Sequence, residues 1–294
     1  MKKIFAFILL ICIALGVQAQ LLWKVSGNGL DRPSYVIGTH HMAPLSIKDS
    51  INNLQEVIDQ TEQVYGEVLM DEAAIPETIQ KMQQSMMLPA DTTLKSLFTQ
   101  AQYDTIAIAV KNYLGADLAL FNQLKPAALT TELTVALGLK VLEGFNPQEQ
   151  LDTWFQVQAR QAGKKVGALE TIDTQIQMLY NSQSVARQAL LLYCTATHIE
   201  QGIDQILRMT QAYMKQDLDE LLAVIEERMN NACDSSPEEL ETMIYGRNKN
   251  WVRQLPDIMK NAPTLFVVGA GHLPGQRGLL KLLQEQGYRV EAMK

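Results

Sequence analysis

Two short runs of the 294-residue chain are apolar at nearly every position: Tyr35-Val-Ile-Gly38 and Leu265-Phe-Val-Val268. A strand covered on both faces reads as a continuous apolar run, whereas a half-exposed strand alternates. The pattern therefore predicts two buried strands, over 34–39 and 264–268. Weaker strand patterns follow at 20–27, 63–70, 166–170 and 288–293. The turn Asn28-Gly-Leu-Asp-Arg-Pro33 joins the first two strands into a plausible hairpin. Ile47, Ile51, Leu54, Val57 and Ile58 recur at helical spacing and predict a helix over 46–60. A strand, a helix and a strand in that order suggest a parallel pair with a crossover.

From 71 to about 142 the pattern is helical, interrupted at Pro76, Pro89, Gly115 and Pro126. Met82, Met86 and Met87 fall in this stretch; they read as packing residues or as an adaptable surface on a lid over the sheet edge. A helix is expected over 150–162. A mostly helical region follows over 171–231, with a break near 181–184. Ser236 and Glu239 have capping-box spacing, and the helix they open runs to about 255. A final helix over 274–286 is stopped by Gly287. The expected fold class is α/β: a central mixed β-sheet flanked by helices, with a large helical insertion over about 71–142. Residues 20–294 are read as one domain.

Composition narrows the function. Hydrophobic residues make up 47% of the chain, enough for a sizeable core, and the formal net charge is −7. That charge argues against a nucleic-acid partner held by phosphate attraction. Met1-Lys2-Lys3, the apolar stretch over 4–17 and the small-residue site Val17-Gln18-Ala19 read as a signal peptide over 1–19. The apolar stretch is too short for a stable membrane span, so a secreted or periplasmic location is expected. Cys194 and Cys233 could pair in an oxidising compartment or remain two buried thiols.

The candidate chemistry follows the two apolar strands. Each runs into Gly-x-x-His: Gly38 to His41 and Gly269 to His272. A glycine lets the chain turn and approach a ligand closely. Ligands of α/β sheets bind at strand carboxyl ends. Neutral imidazole is a common ligand of divalent transition metals, and catalytic sites often use three protein ligands. His41 and His272 would supply two, and Glu67 the third, as a charge set among apolar strand residues. Glu170, at the end of another strand, is a ligand, base or orienter, or else part of a helix N-cap. Asp152 opens a helix, where the dipole already favours an acid. Arg247 could stabilise an oxyanion, or it and Asn248 could lie on a solvated helix face. His40 must point away from His41, and His198 reads as structural. No Gly-x-Ser-x-Gly, His-Glu-x-x-His or P-loop is present.

Gly38-Thr-His-His41 and Gly269-Ala-Gly-His272-Leu-Pro-Gly275 resemble the motifs of the TraB/GumN family, whose animal members include the Tiki proteins. The resemblance extends over nearly the whole chain after residue 19. It includes Leu22-Trp-Lys-Val25, the segment from Leu151-Asp-Thr-Trp-Phe155 through Glu170 to Gln175, Gly246-Arg-Asn-Lys-Asn-Trp251, and the closing segment Gly278 to Val290. It implies an active site of His41, His272, Glu67, Arg247 and Asn248. Two departures stand out: His40 where the family usually has an apolar residue, and Gln150-Leu151 where it usually has a glycine before Asp152.

The resemblance implies a metal-dependent hydrolase, a peptidase, that uses Mn, Co or Zn on a peptide or small-molecule substrate. A non-catalytic peptide- or pheromone-binding protein is the alternative. An esterase, by likeness to the wider erythromycin-esterase/ChaN-like superfamily, is a third reading. Substrate, metal identity and oligomeric state are left open by the sequence.

Overall fold

A computed structural model describes residues 20–294 of the chain. The expected signal peptide lies outside the described residues. In chain order the elements are β1 (Leu22–Ser26), β2 (Ser34–Thr39), α1 (Leu54–Gln60), β3 (Gln63–Gly66), α2 (Pro76–Ser85), α3 (Gln100–Leu114), α4 (Pro126–Val141), α5 (Leu151–Gln161) and β4 (Lys165–Ala168). There follow α6 (Ile172–Asn181), α7 (Val185–Thr197), α8 (Ile199–Met214), α9 (Leu218–Glu226), α10 (Pro237–Leu240), α11 (Gly246–Asn261), β5 (Thr264–Gly269), α12 (Leu279–Glu285) and β6 (Arg289–Ala292).

The strands form one mixed sheet in the order β4-β3-β5-β2-β1-β6. β2, β5, β3 and β4 are parallel neighbours, and β1 runs antiparallel to both β2 and β6. The two most apolar strands, β2 and β5, lie side by side with Thr39 opposite Gly269. Covered on both faces, they are buried at every position except Gly269.

Three expectations are corrected. β3 is parallel to β2 but does not adjoin it, because β5, from the far end of the chain, lies between them. The helix expected over 46–60 divides into a 3₁₀ turn, Leu45–Ser50, and α1. The break falls at Asn53, which takes a left-handed conformation (φ 60°) that asparagine tolerates.

The strand expected over 63–70 ends at Gly66. There the Gln156 side chain from α5 replaces the ladder, donating to the Val68 carbonyl (2.8 Å) and accepting from Met70 N–H (3.0 Å). A Cβ on Gly66 would lie 2.5 Å from Gln156 Nε2, so glycine at this position admits the amide.

The helices over 76–141 do not stand apart from the later ones. Leu94, Ile106, Val110, Leu129 and Leu133 share an apolar cluster with Leu192 of α7. Ala128 packs with Ile176 and Tyr180 of α6, against which Met82 and Met86 also lie. Cys194, in α7, is disulfide-bonded to Cys233, resolving the alternative between a bridge and free thiols in favour of the bridge. Among the described residues, no helix is long and apolar enough to cross a membrane.

Candidate functional site

Four parallel strands deliver side chains to one edge. His41 follows β2, His272 follows β5, Glu67 is the first residue after β3, and Glu170 lies two residues beyond β4. Glu67 was expected within its strand; Gly66 ends the ladder one residue earlier, so Glu67 stands at the carboxyl end instead. The motif glycines work differently from the expectation as well. Neither Gly38 nor Gly269 has a positive φ, so neither provides a left-handed turn. Their role is close approach: a Cβ on Gly38 would lie 3.0 Å from Ala270 Cα, and one on Gly269 would lie 3.3 Å from Glu67 Oε1.

At the His272 end every polar group has a partner. Arg247 donates through Nε to Glu170 (3.2 Å), through Nη2 to Glu170 (2.6 Å) and to Glu67, and through Nη1 to the Met243 carbonyl (3.1 Å) and His272 Nε2 (3.0 Å). A guanidinium has five N–H donors, so none remains for an oxyanion in this arrangement. His272 Nδ1–H donates to Asn248 Oδ1 (2.7 Å), and the tautomer follows from this network. Asn248, fully buried, donates to the His272 and Arg277 carbonyls. It positions His272 and has no group left for a substrate. The imidazole and the guanidinium also pack on Trp251, at 4.5 and 4.6 Å from its ring.

A π-helical turn, Glu241–Tyr245, leads directly into Arg247 and Asn248. Gly246 fits there because a Cβ would come within 2.8 Å of the Glu241 carbonyl. Such turns recur at functional sites.

Electrostatics follow the packing. Burial pushes the His272 imidazolium down to about 4, only partly opposed by Glu67, and the nearby Arg247 lowers it further. His272 is therefore neutral near pH 7. Burial alone would raise Glu67, but Arg247 and the Gly269 N–H (2.7 Å) hold it below the usual carboxylate range. Gln175, part of the mid-chain segment, donates to both Glu67 (3.1 Å) and Glu170 (3.0 Å).

The His41 end is open. The His41 side chain is 64% exposed, and its Nδ1 lies 3.6 Å from Asp152 Oδ2. Asp152 is buried; Oδ1 accepts from Thr39 Oγ1 (3.0 Å), while Oδ2 has no hydrogen-bond partner among the described residues. Burial raises the Asp152 carboxyl, with His41 opposing and Glu67 adding to the rise.

His41, Glu67, Asp152 and Gln175 line a cavity of about 520 Å³ whose other walls include Met42, Val68, Met82, Val135, Ile176 and Leu179. Met82, from the proposed lid region, thus reaches the site. His40 points away, bonding Thr210 (3.1 Å) and packing on Tyr213, and burial takes it to about 4. His198 ends α7 with Nδ1 3.0 Å from the Cys194 carbonyl, a structural position.

Asp152 and Gln156 carry more of the site than the sequence suggested. Both lie on the inward face of α5 beside Leu151, Phe155 and Ala159. Two polar residues four apart on an apolar face are the signal that marks them.

Fold and cleft together define a class: an α/β protein with a mixed sheet and an ionisable cluster at the carboxyl ends of its parallel strands. The chain belongs to the TraB/PrgY/gumN family, whose model matches residues 21–292. It is similar to a protein named metalloprotease TIKI homolog from Amphimedon queenslandica, with 20% identity over 96% of this chain and 63% of the relative. It is also similar to metalloproteases TIKI2 and TIKI1 of Danio rerio, each 23% identical over 92% of this chain and covering 60% and 63% of the relatives. The chain thus spans about three-fifths of the length of these relatives. No solved structure matches it.

The relatives' names call for a test of fit to a metal. Among the described residues, no three His, Cys, Asp or Glu side chains converge in metal-holding geometry. The expected set of His41, His272 and Glu67 is not assembled in this arrangement. Glu67 Oε1 lies 3.9 Å from His272 Nε2, but the Arg247 guanidinium bonds both residues. The donors at the His41 end have the chemistry a divalent cation takes: an exposed imidazole and, 3.6 Å from its Nδ1, a buried carboxylate oxygen with no hydrogen-bond partner among the described residues.

Proposed function

We propose that the protein is a metal-dependent hydrolase acting on peptides, with its reaction centre at the His41 end of the cleft. The observation that carries this reading is the meeting of His41, Asp152 and Glu67 on one cavity at the carboxyl edge of a parallel sheet. Membership of a family with metalloprotease-named relatives supports it. His41 would hold the cation, with Glu67 beside it on the cavity wall. A bound divalent metal lowers the pKa of its water and polarises a carbonyl.

The chain's own residues do the rest. Arg247 and Gln175 keep Glu67 ionised and oriented, able to accept a proton from an attacking water. Asn248 and Trp251 fix His272 as a neutral ring, and that ring with Glu170 fixes Arg247. The apolar wall formed by Met42, Val68, Val135, Ile176 and Leu179 accepts an apolar substrate side chain and excludes water from the reacting carbonyl. A secreted or periplasmic location belongs to the same proposal, as do a single domain over 20–294 and a lid drawn from the helices over about 71–142.

The test is metal analysis and cleavage of a peptide library by protein purified without chelator, beside His41→Ala and His272→Ala. Equal cleavage by all three rejects the reading. The apolar cavity also suits capture of a peptide without cleavage. Calorimetric binding with no product by mass spectrometry under any metal would favour that alternative. A panel of small esters addresses the esterase reading.

A further inference from the structure

We propose that Asp152 is itself a ligand of the site's cation, binding through Oδ2 beside His41 Nδ1, and that Arg247 permanently takes the place of a metal at the His272 end. This rests on the metal-dependent reading above and goes beyond it in adding the Asp152 carboxylate to the ligands and in giving the metal's place at the His272 end to Arg247.

The Asp152 carboxylate is fixed and incomplete. The residue is only 7% exposed, Thr39 holds Oδ1, and Oδ2 has no partner. Thr39 is the last residue of β2 and His41 lies two positions on, so one strand end sets both donors. The 3.6 Å between Nδ1 and Oδ2 is longer than a hydrogen bond. It matches the separation of roughly 3–4 Å between two donors that each lie about 2.0–2.2 Å from one tetrahedral ion.

Formal charge points the same way. Glu67 and Glu170 share a single guanidinium, and neutral His272 adds no charge because its Nε2 accepts from Arg247. The cluster therefore carries a negative balance that a bound cation would offset. At the His272 end both ring nitrogens are taken. A cation there would have to displace a guanidinium from all its contacts. An imidazole nitrogen with carboxylate oxygens suits Zn, Co or Mn.

The experiment loads the full-length protein with Mn(II) and counts coordinated imidazole nitrogens by pulsed EPR. One nitrogen is expected, and two would overturn the proposal. Calorimetry with Mn(II) on Asp152→Asn gives a second readout, since asparagine keeps an oxygen for Thr39. Affinity is expected to fall at least tenfold with the circular dichroism spectrum unchanged. Wild-type affinity in Asp152→Asn would overturn the proposal, as would a loss confined to His272→Gln. Peptide cleavage by wild type that binds no metal would reject the metal-dependent reading itself, and this assignment with it. Mn(II) binding with an indifferent Asp152 rejects this assignment alone.

Discussion

The two ends of the cleft use the same residue types and differ in how completely they are paired. At the His272 end, Arg247, Glu67, Glu170 and Asn248 use up one another's hydrogen-bonding capacity and are packed on Trp251. At the His41 end, an imidazole faces the cavity and a carboxylate oxygen is left without a partner. A buried network that is fully satisfied gives rigidity, while a group left short of a partner costs free energy unless something binds it. On the proposed reading, scaffolding falls to one end and ligand binding to the other. Sharing a motif does not make the two histidines equivalent.

The comparison can be broken most decisively at Arg247. Arg247→Met leaves Glu67 and Glu170 buried together without their cation and should destabilise the fold by about 3–5 kcal/mol, read by urea denaturation. A loss below about 1 kcal/mol would show that the network is not structural.

Next is pH. The His272 proton affinity is depressed to about 4 in the folded chain, against about 6.5 when exposed. Between those values the unfolded chain binds a proton that the folded chain refuses. Stability is therefore full above about pH 6.5 and falls as the pH drops towards 4, by roughly 3 kcal/mol for this ring. Buried His40, also near 4, adds a loss of the same sign, and Asp152, whose affinity is raised, opposes it. The slope lost in His272→Gln isolates the His272 share, and an unchanged slope would contradict its burial as a neutral ring.

Gln156→Leu is smaller in effect. It strands the Val68 carbonyl and the Met70 N–H beside Glu67, for a cost of about 2 kcal/mol in thermal or chemical unfolding. His41→Ala should have the least effect on stability, under about 0.5 kcal/mol as an exposed substitution. Peptide cleavage should nevertheless drop roughly a hundredfold. A destabilised His41→Ala, or one that retains activity, would erase the distinction between the two ends.

Much of this was legible in the sequence. The β2 and β5 runs are apolar throughout because both faces are covered, and their shared burial brings two distant histidine motifs to one edge. Glu67 stood out as a charge among apolar neighbours. Asp152 did not, because an acid in the first turn of a helix is commonplace, and its partner Thr39 is 113 residues away. The saturation of Arg247 was also hidden. It depends on carbonyl and carboxylate positions set by the π-turn and by the turn after Gly66, and no residue spacing reports them. The insertion of β5 between β2 and β3 was missed because local pattern says nothing about which strand will occupy the middle.

That central placement of β5 has a consequence for biosynthesis. Its two neighbours are finished by residue 66, yet the strand that joins them begins only at Thr264. A nascent polypeptide shorter than this has two unconnected pieces of sheet, neither of which can carry the assembled cluster. Until the late segment emerges and takes its place between them, the cluster cannot form, so whatever the cleft does must wait for the chain to be finished.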